Sequence, residues 1–293
     1  MCGRARLSSD VSEIKIAFGI PPERPAPNFA ASWNVAPTDP LPIVRYDAKE
    51  HQRSLDVMRW GLIPYWAKDI KIGFSTINAR AEEIDTKPAF REAFRQRRCL
   101  VPLDNFYEWK KTTAGKQPYA IALKGGGLMA MAGLWETWRS KDGERIRSFT
   151  IATTTPNELC AQLHNRMPVV LKSDRWPLWL GEEPADPAQL KALLAPYPSE
   201  DITAWPVSTR VGSVKNNDPS LIEPIALPGP TKLWISRGGR GRFRLRWRLL
   251  SIRRSNAFPL RGRRYPKTPV PPAGVFFYPS ATARRVPIVR AAN

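Results

Sequence analysis

Apolar residues recur along this chain at two periods, and the switches between them mark out its elements. Val11, Ile14, Ala17 and Phe18 follow helical spacing behind Asp10, with Glu13 three residues on. That pattern predicts a helix with a capping box, ended by Pro21 and Pro22. Residues 41–45 and 54–60 alternate as strands do. Residues 60–66, Trp-Gly-Leu-Ile-Pro-Tyr-Trp, have neither period and read as a structured loop. Residues 88–94 read as a short helix with Pro88 in its first turn. Five β-rich segments then follow closely, at 98–102, 106–110, 119–123, 128–138 and 148–153, with glycine turns at 125–127 and 141–143 between the later ones. Helical patterns return at 156–163, 173–180 and 186–195. Strands joined by short turns pair antiparallel, and here the helices gather at the ends instead of alternating with the strands. The expected class is α+β: a curved, largely antiparallel, barrel-like sheet with flanking helices.

Composition changes this picture at one place. The 293 residues carry a net charge of +20, and residues 227–293 supply sixteen basic side chains and no acidic one, leaving +4 for the remainder. The chain is therefore expected to consist of a folded domain over residues 1–226 and a basic Arg/Pro-rich tail over 227–293. Arginines interleaved with Gly, Phe243 and Trp247 suit a disordered nucleic-acid-binding extension. A frame artefact, in which the tail comes from a shifted reading frame, is the other reading of it. Three cysteines, Cys2, Cys99 and Cys160, make no CxxC pair and no disulfide framework, which fits a reducing compartment. No signal peptide or membrane-length apolar run is present, so a cytoplasmic protein is expected. Two histidines argue against a His-rich metal site, and no metal or organic cofactor is called for.

The candidate chemistry starts at Cys2. If Met1 is removed, this residue gains a free α-amine beside its thiol. The ordinary pKa values are about 8 and about 8.5, so both groups are partly nucleophilic near neutrality. Such an aminothiol can attack a carbonyl through its thiolate. It can also form an imine with an aldehyde and close it to a thiazolidine. Asn78, Glu108 and His164 are the other reactive groups in apolar or small-residue settings. Each also has a plainer reading: a turn cap for Asn78, a strand's solvent face for Glu108, a helix C-terminus for His164. A frayed terminus is the plainer reading of Cys2.

Taken together, the motifs resemble one family. Met1-Cys-Gly-Arg4, Trp33-Asn-Val-Ala-Pro37, Trp60-Gly-Leu-Ile-Pro64, Ile77-Asn-Ala-Arg-Ala-Glu82, Arg98-Cys-Leu-Val-Pro102, Phe106-Tyr-Glu-Trp109, His164-Asn-Arg-Met-Pro168 and Val214-Lys-Asn-Asn217 occur in this order. The set resembles the SRAP family (SOS response-associated peptidase) over roughly residues 2–226. That resemblance implies an abasic-site sensor in single-stranded DNA, acting in a DNA damage response of the SOS type. It implies a thiazolidine crosslink from Cys2 to the ring-opened sugar, self-processing that removes Met1, and strand cleavage through the imine. It also implies Glu108 as general acid–base, His164 as the proton-transfer group for ring opening, and Asn78 as an orienting amide beside Cys2. Arg4, Arg80 and Arg166 are implied to bind phosphates, and Trp66 to stack on a base. The expected partner is single-stranded DNA carrying abasic sites, met by a nucleoid-associated monomer with no membrane contact. Two rivals remain: an N-terminal-nucleophile amidohydrolase, and a non-enzymatic module that binds single strands.

Overall fold

Strands far apart in the sequence close on one another here, and the closure places the reactive residues. The computed structural model describes residues 2–227. Both readings of the basic tail, save at Leu227, lie outside the described residues. In chain order the elements begin with β1 (Ala5–Leu7), α1 (Val11–Ala17), β2 (Ser32–Val35), β3 (Pro40–Asp47), β4 (Gln52–Trp60), β5 (Asn78–Arg80) and α2 (Arg91–Gln96). Next are β6 (Arg98–Leu103), β7 (Asn105–Thr112), β8 (Gly115–Leu123), β9 (Met129–Arg139) and β10 (Arg145–Thr154). The last are α3 (Glu158–Ala161), β11 (Met167–Pro168), α4 (Trp176–Leu180), α5 (Pro187–Ala192) and β12 (Ile202–Pro206).

β4, β3, β6, β9 and β10 pair antiparallel in that order, and β10 then meets β4 in parallel at Ser148↔Arg59 and Phe149↔Trp60. The result is a closed five-stranded barrel with one parallel seam, so only the barrel's two ends lack partners. Beyond the seam, β5 continues along the same edge of β10, again in parallel, with Asn78 opposite Ile151. A second sheet, antiparallel throughout, runs β12-β8-β7-β1-β2. The α+β, barrel-like and largely antiparallel class is thus what the chain forms.

Trp60 fills the barrel at the seam, fully buried, stacked on Phe149 with ring centroids 6.3 Å apart. Its indole Nε1 donates to the carbonyl of Ile77 at 2.9 Å, fixing the residue before Asn78. Truncating such a buried tryptophan costs about 3–5 kcal/mol in most cores. A smaller cluster of Tyr107, Ala120, Val207, Val211 and Leu221 seats the segment after β12 on the second sheet.

The helix at Asp10 has its expected capping box. The other helical ranges need correction. α2 starts at Arg91, behind a Phe90 cap, and Pro88 lies in the turn before it. The 156–163 pattern yields only the single turn of α3, capped by the Asn157 side chain. The 173–180 pattern splits into a 3₁₀ turn, Ser173–Arg175, and α4. The 186–195 pattern shortens to Pro187–Ala192. No helix among the described residues is long and apolar enough to cross a membrane.

Candidate active site

A chain terminus ordinarily frays, but this one is held from both sides. β1 lies between β2 and β7, with Ala5 opposite Val35 and Phe106, and the Tyr107 N–H donates to Arg4 O at 2.9 Å. Beyond β1, the Asp104 carboxylate accepts from the Ser9 hydroxyl at 2.6 Å and from the Ser9 N–H at 3.1 Å. Cys2 is consequently 1 % exposed. The reading of Cys2 as a frayed residue does not survive this geometry.

Asn78 donates from Nδ2 to the Cys2 carbonyl at 2.7 Å. Its Oδ1 is buried and accepts no hydrogen bond among the described residues. An acceptor in that state is costly unless something fills it. Glu108 sits on β7 and is buried at 6 %, not on a solvent face; the Trp109 N–H donates to its Oε1 at 3.1 Å. Burial first, and then the negative charge of Glu108, pushes the Cys2 thiol up to about 12, while the Arg4 backbone N–H works the other way. The same two causes, in the same order, push Cys160 up to about 12. Thus Glu108 lies within electrostatic reach of two buried thiols, neither of them in a disulfide. The thiol of Cys2 stays protonated at neutral pH, in contrast to the partly ionised thiol expected from its ordinary value.

His164 follows α3, its own N–H donating to Cys160 O at 2.9 Å. The Arg166 N–H donates to His164 Nδ1 at 3.1 Å, so the neutral ring carries its proton on Nε2. Glu108, Trp109, Lys111, Lys116, His164 and Gly212 line one cleft of about 390 Å³. The structure therefore brings Cys2, Asn78 and Glu108 together, and sets Glu108 and His164 on a common opening.

The four residues expected to meet DNA divide into two pairs. Trp66 is 47 % exposed in the loop after β4, and Arg80 is exposed on β5. The guanidinium groups of Arg4 and Arg166 are engaged inside the protein. Arg4 donates to Val211 O at 2.7 Å, to Gly212 O at 3.2 Å and to Asn34 Oδ1 at 2.8 Å. Arg166 makes a two-pronged bond to Glu82, at 2.6 and 3.0 Å, and reaches Thr153 O. That fork is the first cause holding the Glu82 carboxyl below its ordinary range. In this structure both arginines bind protein, not open surface.

Sequence reasoning missed Asn34. It is 4 % exposed, accepts from Arg4 and donates from Nδ2 to Ser213 O at 2.9 Å and Asn216 O at 2.7 Å. Together with Arg4 it clamps the Val211–Asn216 stretch that supplies Gly212 to the cleft. The signal was in plain view, as the polar residue inside Trp33-Asn-Val-Ala-Pro37, but nothing local says what an Asn in a strand will bond. Cys160 was also missed as a neighbour of Glu108, because that contact is long-range. No group of three or more His, Cys, Asp or Glu side chains converges as metal ligands would among the described residues.

Comparison with known proteins places the chain in a family. "Abasic site processing protein YoqW" of Bacillus subtilis is 44% identical over 224 residues, covering 76% of this chain and 99% of its own. "Abasic site processing protein HMCES" of Gallus gallus is 31% identical over 272 residues, covering 80% of each chain. A crystal structure from Bacteroides thetaiotaomicron superposes with a TM-score of 0.70 at 28% identity, covering 77% of this chain and 100% of that one. The family profile described as SOS response associated peptidase matches residues 1–214. With the profile spanning most of the chain and the relatives nearly whole, this chain belongs to the SOS response associated peptidase (SRAP) family.

Proposed function

We propose that this chain processes abasic sites in single-stranded DNA by capturing them covalently at Cys2. The observation that carries the proposal is the placement of Cys2: held by the sheet that follows it, bonded by Asn78 and within electrostatic reach of Glu108, which lines the His164 cleft. The names of its relatives, abasic site processing proteins, support the substrate.

The order of steps follows from the protonation of the groups. Hydrolysis of the Met1–Cys2 bond, as a self-processing step, exposes the α-amine. An abasic sugar in its ring-opened form presents an aldehyde at C1′. The His164 Nε2–H can donate a hydrogen bond to the ring oxygen as the sugar opens, and the proton that oxygen takes up is the one the C1′ hydroxyl gives up, relayed through water. The amine nitrogen then attacks C1′, and Glu108 takes the proton it releases. The carbinolamine loses water with a proton returned from Glu108, leaving an imine. The thiol adds to the imine carbon, and its proton passes to the nitrogen. One water is lost overall, and one C–N and one C–S bond are formed.

A thiol held neutral by burial suits this second role. It suits poorly the first attack on an unactivated amide that the amidohydrolase reading requires, since the thiolate is the nucleophile there. Strand cleavage would branch from the imine, by loss of a C2′ proton and departure of the 3′ phosphate oxygen. Ring closure to the thiazolidine competes with that branch. Trp66 and Arg80 are the proposed contacts to the flanking strand; Arg4 and Arg166 act on the site through the walls they hold.

Intact mass after incubation with an oligonucleotide bearing one abasic site tests this reading. The expected result is loss of Met1 and a denaturation-resistant adduct 18 Da short of the sum, from the one water lost. Cys2→Ala should give no adduct and keep reversible binding. A protein with Met1 removed and no adduct would remove the mechanism. Glutamine hydrolysis in that same sample would install the amidohydrolase reading in its place.

A further inference from the structure

The β7–β8 hairpin carries a charge arrangement that folding does not explain. Lys111 and Lys116 are a directly opposed cross-strand pair, with Lys110 beside them opposite Gln117. Like charges facing one another across two strands destabilise a hairpin. No ion pair relieves any of the three lysines among the described residues. Lys111 and Lys116 are exposed, and they line the cleft that contains Glu108 and His164. A second depression, of about 740 Å³, shares Trp109, Lys111 and His164 with that cleft and adds Lys110 and Gln162. The two therefore meet at Trp109, which is half-buried, packs in part against the Tyr107 cluster and lines both. Among the described residues, Glu108 is the only acidic side chain lining either of them. The next depression along, around Tyr119, brings in Glu158 and Glu200 and breaks the positive run.

We propose that this hairpin is a phosphate track: the nucleotides beside the abasic site leave the cleft over Trp109, with their phosphates on Lys111 and Lys116. Cations spaced along an aromatic-bearing groove are what a single strand needs, since its charge is regular and every base has a face to stack. The occupant is the DNA strand itself, so the inference rests on the proposed function for its ligand. It adds two residues, Lys111 and Lys116, that none of the shared motifs contains.

The experiment measures binding of an unmodified single-stranded oligonucleotide across a salt series, for wild type and for Lys111→Gln/Lys116→Gln. Each phosphate contact on a single strand contributes about 0.7 to the slope of log K against log salt. The double variant should therefore lose about 1.4 from that slope. Lys49→Gln/Lys141→Gln removes the same charge from two other hairpins and should leave the slope unchanged. An unchanged slope in the first variant overturns the track. Equal losses in both variants also overturn it, by assigning the effect to net charge. Adduct formation by wild type on the abasic oligonucleotide, run in parallel, separates the two ideas: its absence removes the covalent reading, whereas the slopes judge the hairpin alone.

Discussion

Glu108 is buried beside two thiols, Cys2 and Cys160, and its charge helps to keep both protonated. The proton traffic of imine and thiazolidine formation needs a base in that position. Glu108→Gln keeps the shape and an oxygen able to accept from the Trp109 N–H. It removes the basic site. General acid–base groups typically contribute 10²–10⁴ in rate, so adduct formation should slow by about a hundredfold or more. Binding of an unmodified single strand should stay close to wild type, because the carboxylate offers nothing to a phosphate. Quenched time courses of adduct formation, beside a titration with fluorescent oligonucleotide, read the two quantities separately. Equal loss in both would make Glu108 a structural residue.

The loop after β4 shows how one residue type decides an element. Gly61 has φ of +112°, a conformation L side chains rarely adopt, and a Cβ there would meet the Gly73 carbonyl oxygen at 2.5 Å. The 3₁₀ turn Ile70–Phe74 can lie against this loop only because both approaching residues are glycines. Gly61→Ala should cost upwards of about 1–3 kcal/mol, the usual range for overpacking, with backbone strain added. Urea denaturation measures it, and a change below about 0.5 kcal/mol would show that the loop simply shifts aside. The sequence announced this loop through its lack of period, yet could not announce what it packs on. The same limit runs through the whole reading. Asp10 and Glu13 made their helix legible because a capping box is a local bond pair. The parallel seam of β10 with β4 joins residues some ninety positions apart (Ser148 to Arg59), and no local pattern records it. Pro88 misplaced a helix because the turn before α2 is itself hydrogen-bonded, Phe90 to Lys87 O at 2.9 Å, and so resembles a first turn. Motif membership located Arg4 and Arg166 near the site, but which way a guanidinium turns depends on carbonyls such as Val211 O and Thr153 O that only the fold supplies.

At the scale of the molecule, the fold buries every cysteine, and this sets how stability responds to alkali. Burial pushes Cys2 and Cys160 up to about 12, and pushes Cys99, fully buried on β6, up as well. Below about pH 9 neither the folded nor the unfolded chain ionises these thiols, so they add no slope. Above it the unfolded chain releases protons that the folded chain keeps. The unfolded state then binds fewer protons, and stability falls as pH rises toward the folded values. Each thiol contributes at most about 1.4 kcal/mol per pH unit in that window. Cys99 isolates the effect, since it lies away from Glu108 and its shift has burial as its one cause. Cys99→Ala will be less stable than wild type at pH 7, because it leaves a small cavity beside Gly133. Its deficit should shrink between pH 9 and pH 11, by about 1.4 kcal/mol per unit, because wild type alone carries that thiol's alkaline penalty. Urea unfolding under reductant at half-unit steps of pH follows the gap. A deficit that stays constant across the window would mean that the thiol ionises in the folded chain as readily as in the unfolded one, and that its surroundings are open to water.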